Sequence, residues 1–146
     1  MMSRSLRMAA LVAALAVAAC GTGVSSLTPT AATPTDAASS GPRPSSPAVV
    51  AVVQPANGAS ITGTSVHVVL SLTGATIVTA TSTDIRPDQG HVHLYVDNVL
   101  FSMNYGLEQD VPVHPGTYVL KAEFVAADHA PFSPRVWSTE VFFTVK

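Results

Sequence analysis

Alternation of apolar and polar side chains over residues 65–72, SVHVVLSL, most constrains how this chain can fold. Successive side chains of a β-strand point to opposite faces, so the alternation places Val66, Val68, Leu70 and Leu72 on one face. A helix would scatter these four side chains around its circumference. The pattern therefore predicts a β-strand with one face packed in a hydrophobic core and the other face polar.

A similar pattern continues through the chain, where short runs rich in β-branched residues are separated by turn-forming residues. Asp97-Asn98 predicts a tight turn between two of these runs. About seven strands within residues 48–146 predict an all-β fold, an immunoglobulin-like β-sandwich. Besides 65–72, the predicted strands are 48–54, 75–82, 91–97, 99–104, 117–125 and 136–145.

One tyrosine near the start of the 117–125 run has a predicted structural role. Tyr118 follows the turn Pro115-Gly116 by two residues. Sandwich domains place a tyrosine corner there, with the hydroxyl bonded back to the preceding loop. The alternative is an ordinary core tyrosine. In both interpretations Tyr118 and Gly116 are structural residues.

Residues 1–19 have the layout of an export signal. Two arginines precede an uncharged apolar run, residues 8–20, which is shorter than the about 20 residues of a membrane-spanning helix. The run ends in VAACG, residues 17–21, which resembles the lipobox of bacterial lipoproteins. That resemblance implies cleavage before Cys20, two acyl chains such as palmitate on its thiol, and acylation of the new amine. The alternative is ordinary cleavage within the small residues, which leaves a free thiol.

Cys20 is the single cysteine of the chain and therefore has no internal disulfide partner. Two or more acyl chains hold a protein stably on a membrane, where one does not. The sequence thus predicts an extracytoplasmic protein anchored by lipid to a bacterial cell membrane.

A linker follows the predicted lipidation site. Residues 21–47 are almost entirely Gly, Ser, Thr, Ala and Pro, a composition too poor in large apolar side chains to form a core. As a flexible coil, the segment has a reach of roughly 30 Å. We therefore expect a disordered linker over residues 20–47, and a chain that begins at Ala48 should be as stable as one that begins at Gly21.

Two histidines on one predicted strand are the candidate metal ligands. His91 and His93 alternate with the apolar residues of 91–97, so they share the face opposite the core, the polar side of a half-buried sheet. His129, in the 126–135 loop, is the candidate third ligand, and His91 should approach it most closely. Imidazole ligands without thiolates favour copper(II) or zinc. Two alternatives remain: these histidines pin the loop through hydrogen bonds, or they lie on a solvated strand face.

Three motifs resemble a family of small exported bacterial domains of unknown function. They are GHVHLYVD at 90–97, VHPGTYVL at 113–120 and ADHAPFSPRVWSTEVFFTV at 127–145. The family has a GHHHLLID-like strand and a closing DxxHxP loop, and the resemblance covers residues 50–145. It departs where Val92 replaces the middle histidine of the family motif. The resemblance implies a fold and brings no activity with it.

Composition and motifs exclude several functions. The chain after residue 19 has five Lys and Arg against nine Asp and Glu, a net charge of −4, with no basic cluster, so no nucleic acid is expected as a partner. Ser133 and Ser138 lack a nucleophile elbow and an oxyanion loop, so an enzyme is not expected. The first interpretation is an anchored, non-enzymatic binding domain with an unknown protein or envelope partner. The alternatives are a copper- or zinc-binding envelope protein and a structural envelope protein.

Overall fold

The computed structural model describes residues 41–146, which form ten β-strands. Within those residues no helix is long and apolar enough to cross a membrane. The predicted signal, Cys20 and most of the predicted linker lie outside the described residues. The strands are β1 Val49–Gln54, β2 Ala59–Ile61, β3 Ser65–Thr73, β4 Thr76–Ile77, β5 Gln89–Val96, β6 Val99–Ser102, β7 Glu108–Pro112, β8 Gly116–Ala126, β9 Pro131–Trp137 and β10 Val141–Val145.

The strands form two sheets, as an immunoglobulin-like sandwich requires. One sheet has the order β1-β3-β7, and the other has the order β2-β10-β8-β5-β4, with β6 paired to β5 and β9 paired to β8. All pairings are antiparallel except β2 with β10 and β4 with β5. The predicted all-β sandwich is therefore confirmed.

The core is built from the apolar faces that the alternation predicted. Val66, Val68 and Leu70 of β3 are at most 4% exposed, and Val92 and Leu94 of β5 are at most 2% exposed. These residues belong to one hydrophobic cluster with the inward side chains of β8 and β10. The predicted tight turn after β5 is also present, since the φ angles of both of its residues are positive.

Two predicted strands differ from the structure. Of the predicted strand 75–82, only Thr76–Ile77 pairs, because the residues that follow cross to the end of the sheet, where Ser82 N donates to Ala127 O at 3.0 Å. The predicted strand 136–145 is divided between β9 and β10. Trp137 pairs with Glu123, whereas Val141 pairs with Leu120, so one extra residue forms a bulge between them.

The bulge has a side-chain cause. Ser138 is 8% exposed, and its Oγ accepts a hydrogen bond from Ala122 N at 2.9 Å and donates to Thr139 O at 3.0 Å. Ser138 therefore occupies the ladder position that a regular strand residue would have filled. Strands β2 and β7 were not predicted, since β2 has three residues and β7, EQDVP, lacks an apolar run.

The folded part begins before Ala48, where the sequence pattern placed its start. Arg43 donates to both carboxylate oxygens of Asp128 at 2.8 Å and to the carbonyl oxygens of Ala130 and Pro131 at 2.9 Å. The linker prediction therefore does not hold at its C-terminal end. A chain that begins at Ala48 would lose these contacts, so from the structure we expect it to be less stable than one that begins at Gly21.

The tyrosine corner is present. The hydroxyl of Tyr118 donates to His114 O at 3.0 Å and accepts from His114 N at 3.1 Å, which ties the start of β8 to the loop before it. A Cβ added at Gly116 would meet no atom closer than 3.7 Å, so the structure gives no steric reason for glycine there. Gly90 is different, because a Cβ there would lie 1.9 Å from Val125 O.

Candidate functional site

The candidate site lies on the outer face of β5, the face turned away from the core. His91, His93 and Tyr95 alternate with core residues and share this face, as predicted. Both imidazoles are covered, since His91 is 0% exposed and His93 is 5% exposed, so the alternative of a solvated strand face does not hold for them. The reason is non-local: other parts of the chain fold over this end of the sheet and cover both imidazoles.

The main cover is the turn that joins β8 to β9 and contains His129. Ala126 N donates to Ala130 O at 3.0 Å, and His129 N donates to Ala126 O at 2.9 Å. His129 has a φ of 63°, the left-handed conformation that hairpin loops of three residues commonly require at their last position. A side chain with a Cβ costs about 1–2 kcal/mol in that conformation. The turn nevertheless places an imidazole at this position, above β5.

The three imidazoles that the sequence singled out come together. The rings of His91 and His129 stack with their centroids 4.2 Å apart, and those of His93 and His129 lie 5.5 Å apart. His91 is thus nearest to His129 by ring distance, as expected. The ring of Tyr105 meets His91 edge-on at 5.0 Å and covers the cluster from the side. We call His91, His93 and His129 the histidine cluster.

Hydrogen bonds determine which nitrogen of His91 carries the proton. Its Nε2 lies 3.2 Å from Ala127 O, and since a carbonyl oxygen can only accept, Nε2 is the protonated nitrogen. Nδ1 then has a lone pair, in a ring that also lies close to the backbone of Val78 but without a hydrogen bond of good geometry to it. Among residues 41–146 it is the one buried side-chain nitrogen or oxygen without a hydrogen-bond partner. Such orphaned buried atoms are uncommon in folded proteins.

The other two imidazoles bond to each other. His93 Nε2 and His129 Nδ1 are 3.2 Å apart, so one of these nitrogens carries a proton and the other accepts it. The second nitrogen of His129, Nε2, lies 3.2 Å from the hydroxyl of Thr81. The hydroxyl can donate or accept, so it fits either tautomer of the ring.

Burial keeps His91 and His93 neutral. Burial, opposed by the hydrogen bond to Ala127, lowers the pKa of His91 from its ordinary value of 6.5. The pKa of His93 is lowered further, to about 4, first by burial and then by repulsion from His129, while Glu123 acts in the opposite direction. A neutral imidazole has a lone pair, so both side chains can act as ligands or acceptors near pH 7.

A second polar group on the same face was missed by the sequence reasoning. Glu123 of β8 lies opposite His93 in the register, and its side chain is 1% exposed. Arg135 binds it through two hydrogen bonds of 2.5 and 2.7 Å, and the hydroxyl of Tyr95 donates to it at 3.2 Å. The available signal was the outward position of Glu123 in TYVLKAEFV, opposite the histidine strand.

These contacts change two further pKa values. Hydrogen bonding to Glu123 raises the pKa of Arg135, and burial followed by the charge of Glu123 raises that of Tyr95. The ring of Trp137 lies beside this pair, with Lys121 Nζ at 4.8 Å and Arg135 Cζ at 4.6 Å from its centroid. Both cations therefore lie within cation–π distance of the indole ring.

Other potential ligand side chains have partners elsewhere. Asp128 binds Arg43, and Asp97 accepts from Val119 N at the far end of β5. His67 is exposed on β3 and bonds to Asp110 at 2.9 Å. In the part of the chain that the structure describes, no three His, Cys, Asp or Glu side chains are already arranged as ligands of one metal ion.

The comparisons with known proteins bear on the fold. Neither a family model nor a curated protein matches the chain. A solved structure of fibronectin(III)-like modules of CbhA from Clostridium thermocellum is similar, with a TM-score of 0.51 and 20% identity over 67% of this chain and 46% of that one. This chain therefore spans about half the length of that structure. At this identity the likeness shows the fold alone: a β-sandwich of the immunoglobulin and fibronectin III type.

Proposed function

We propose that the protein is a lipid-anchored, extracytoplasmic binding domain without catalytic activity, which uses the free edge of its larger sheet to hold a protein partner. The anchor rests on the lipobox-like sequence at Cys20. The binding role rests on one feature of the described residues, the composition and exposure of strand β6 and the residues after it. The domain presents this edge, and the tether keeps it near the membrane.

Strand β6 is unusual because its large apolar side chains are exposed. Val99 is 68% exposed, Leu100 and Phe101 are each 41% exposed, Met103 is 51% exposed and Tyr105 is 46% exposed. Single exposed apolar residues are normal, but five within seven positions form a patch, and such patches mark interaction sites. We call these five residues the β6 row.

The edge beside this row can accept a further strand. In residues 41–146, β6 pairs with β5 and with no other strand. Free strand edges are usually shortened, charged or covered, since they invite pairing with other chains. β6 is short, but it has no charged residue. An extended segment of a partner would gain backbone hydrogen bonds from the edge and apolar contacts from the β6 row.

The absence of catalysis is supported by how the reactive side chains are used. Ser138 Oγ is bonded to Ala122 N and Thr139 O, and Glu123 is bonded to Arg135 and Tyr95. The contacts of Ser138 stabilise the bulge between β9 and β10, and those of Glu123 stabilise the outer face of the larger sheet. Hydrolytic chemistry needs a nucleophile paired to a free base, and Ser138 and Glu123 are not arranged in that way.

Fractionation of cells tests the anchor. The wild-type protein should remain with the membrane pellet after a high-salt wash, and Cys20→Ser should move to the soluble extracytoplasmic fraction, because the serine hydroxyl cannot take the thioether-linked lipid. Detergent extraction should release the wild type. Retention of Cys20→Ser in the washed pellet would contradict the lipid anchor.

Site-specific photo-cross-linking in intact cells tests the binding edge. A photoreactive residue at position 101 should give a discrete cross-linked product, which Leu100→Asp should abolish. Phe142 on β10 is the matched control, since it is 47% exposed but lies away from β6. Position 142 should give no such product. Equal products from both positions, or none from position 101, would contradict the proposal.

A further inference from the structure

We infer that the histidine cluster is a binding site for a divalent transition metal ion, with copper(II) bound more tightly than zinc. This site goes beyond the proposed partner binding, and its ligands are not in the β6 row, although Tyr105 of that row contacts His91. It rests on the placement of three imidazoles at one covered point of the sheet, on the spacing of two of their nitrogens and on the bare nitrogen of the third.

The first argument is a distance. His93 Nε2 and His129 Nδ1 are 3.2 Å apart. Two imidazole nitrogens that bind one ion at about 2.0–2.1 Å, at angles near 90–110°, are roughly 2.8–3.4 Å from each other. The pair therefore has the separation of two ligands of one ion. Binding requires the proton of this hydrogen bond to move to the other nitrogen of its ring, which for His129 is the Nε2 beside the Thr81 hydroxyl, so both rings stay neutral and no proton is released.

The second argument concerns the nitrogens on the far side of two rings. His91 Nε2 is held by Ala127 O, and His129 Nε2 is held by the hydroxyl of Thr81. Ligand histidines typically bond through their other ring nitrogen to a carbonyl or another polar group, which fixes the ring and its tautomer. His91 therefore has an unprotonated Nδ1, and His129 directs its Nδ1 toward His93.

The third argument is the orphaned nitrogen of His91. A buried acceptor without a partner is destabilising, so a ligand that supplies a partner for His91 Nδ1 gains that free energy on binding. The ring already stacks on His129 at 4.2 Å. His91 is the candidate third ligand, and its ring would have to turn away from Ala127 O to direct Nδ1 at an ion held by the other two histidines.

Ligand type selects the metal. The buried carboxylate of Glu123 lies opposite His93 on the neighbouring strand, but Arg135 already pairs with it, so the selection of the metal rests on ligand type. Among residues 41–146 there is no cysteine, so the donors are imidazoles. Imidazole suits copper and zinc, and in the general order of divalent affinities copper(II) exceeds zinc.

Titration with copper(II) chloride and zinc chloride tests the site. The protein is the mature chain with Cys20→Ser, which removes a competing thiol. Isothermal titration should give one copper ion per chain, with zinc binding to the same site at least tenfold more weakly. Copper affinity should fall at least tenfold in His93→Gln and in His129→Asn, which keeps a residue that tolerates a positive φ. His67→Gln and His114→Gln, both at exposed positions, should bind as the parent does.

Electron paramagnetic resonance of the copper-loaded parent gives a second reading that needs no cluster variant. Hyperfine coupling should show three imidazole nitrogens, and His91→Gln should reduce the number to two. Trp137 fluorescence checks that each variant remains folded. Unchanged copper affinity in both His93→Gln and His129→Asn, loss in His67→Gln, or a spectrum without imidazole nitrogens would overturn the inference. None of these outcomes depends on Cys20 lipidation or on the β6 row.

Discussion

Substitution of Arg43 by alanine should destabilise the domain although the residue lies in a segment that, by composition, looks like a linker. Its guanidinium makes four hydrogen bonds to the 128–131 segment, two of them to the carboxylate of Asp128. The Asp128 side chain is 3% exposed and that of Arg43 is 19% exposed. Loss of Arg43 therefore removes two charged hydrogen bonds from a buried carboxylate that keeps its bond from Ala130 N.

The expected magnitude follows from burial and ordering. Hydrogen bonds to charged groups contribute about 1.5–3 kcal/mol each, and removing one member of a buried ion pair costs about 3–5 kcal/mol. Arg43 is partly exposed, and holding residues 41–47 in place costs conformational entropy that the variant regains. We therefore expect a loss of about 2–3 kcal/mol in the free energy of unfolding, which lowers the melting temperature by roughly 10–15 °C for a domain of this size.

Urea denaturation of the mature chain with Cys20→Ser measures this change. Arg86→Ala is the matched control, since Arg86 pairs with Asp84 at 3.2 Å but the two side chains are 60% and 72% exposed. An exposed pair contributes at most about 1 kcal/mol. For Arg43→Ala, a loss below about 0.5 kcal/mol in the free energy of unfolding would refute the reasoning. Equal effects of Arg43→Ala and Arg86→Ala would refute it as well.

Three further perturbations address the core and the outer face. Leu94→Ala should cost about 2–5 kcal/mol in urea denaturation, because Leu94 is fully buried, and a loss below that range would mean that the β5 core face is misassigned. Gly90→Ala should impair folding, as judged by circular dichroism, since its Cβ would lie 1.9 Å from Val125 O; a folded, stable variant would contradict that close approach. Lowering the pH from 7 to 5 should reduce the free energy of unfolding of the metal-free chain by about 2 kcal/mol. The pKa of His93 is about 4 in the folded state and near 6.5 when unfolded, so the unfolded state takes up the proton first. That loss should shrink in His93→Gln, and an equal loss in this variant would assign the effect to other groups.

The sequence was sufficient to predict the inner side of the sandwich. Val66, Val68 and Leu70 on β3, and Val92 and Leu94 on β5, are buried as their alternation requires. A strand with a period of two has one apolar face, and that face must pack in the core. The meeting of His91, His93 and His129 was also predictable, because antiparallel neighbours bring the start of one strand near the end of the other.

Burial of the histidine cluster could not be predicted from alternation. The local pattern states which side chains share a face, but not which distant segment covers that face. Here the cover consists of the turn at His129, the side chain of Thr81 and the ring of Tyr105. Each of them depends on the course of a loop, for which no periodic pattern exists.

The domain start was mispredicted for a related reason. Composition describes the average behaviour of residues 21–47, and a single arginine has little weight in that average. Arg43 nevertheless finds Asp128, which lies 85 positions later in the sequence. Gly90 is a second case, because a Cβ at this position would clash with the carbonyl oxygen of Val125 on the neighbouring strand.

Nitrogen-15 NMR of the imidazole side chains tests the central claim most directly, namely that His91 and His93 are shielded from water and that His91 has an unprotonated Nδ1. At pH 7 in the metal-free chain, we predict that His91 is neutral, with its proton on Nε2 and a lone pair on Nδ1, and that it stays so below its ordinary pKa of 6.5. Addition of copper(II) should broaden the His91, His93 and His129 signals first. A His91 proton on Nδ1, titration of His91 at the ordinary value, or broadening that begins at His67 would contradict the account.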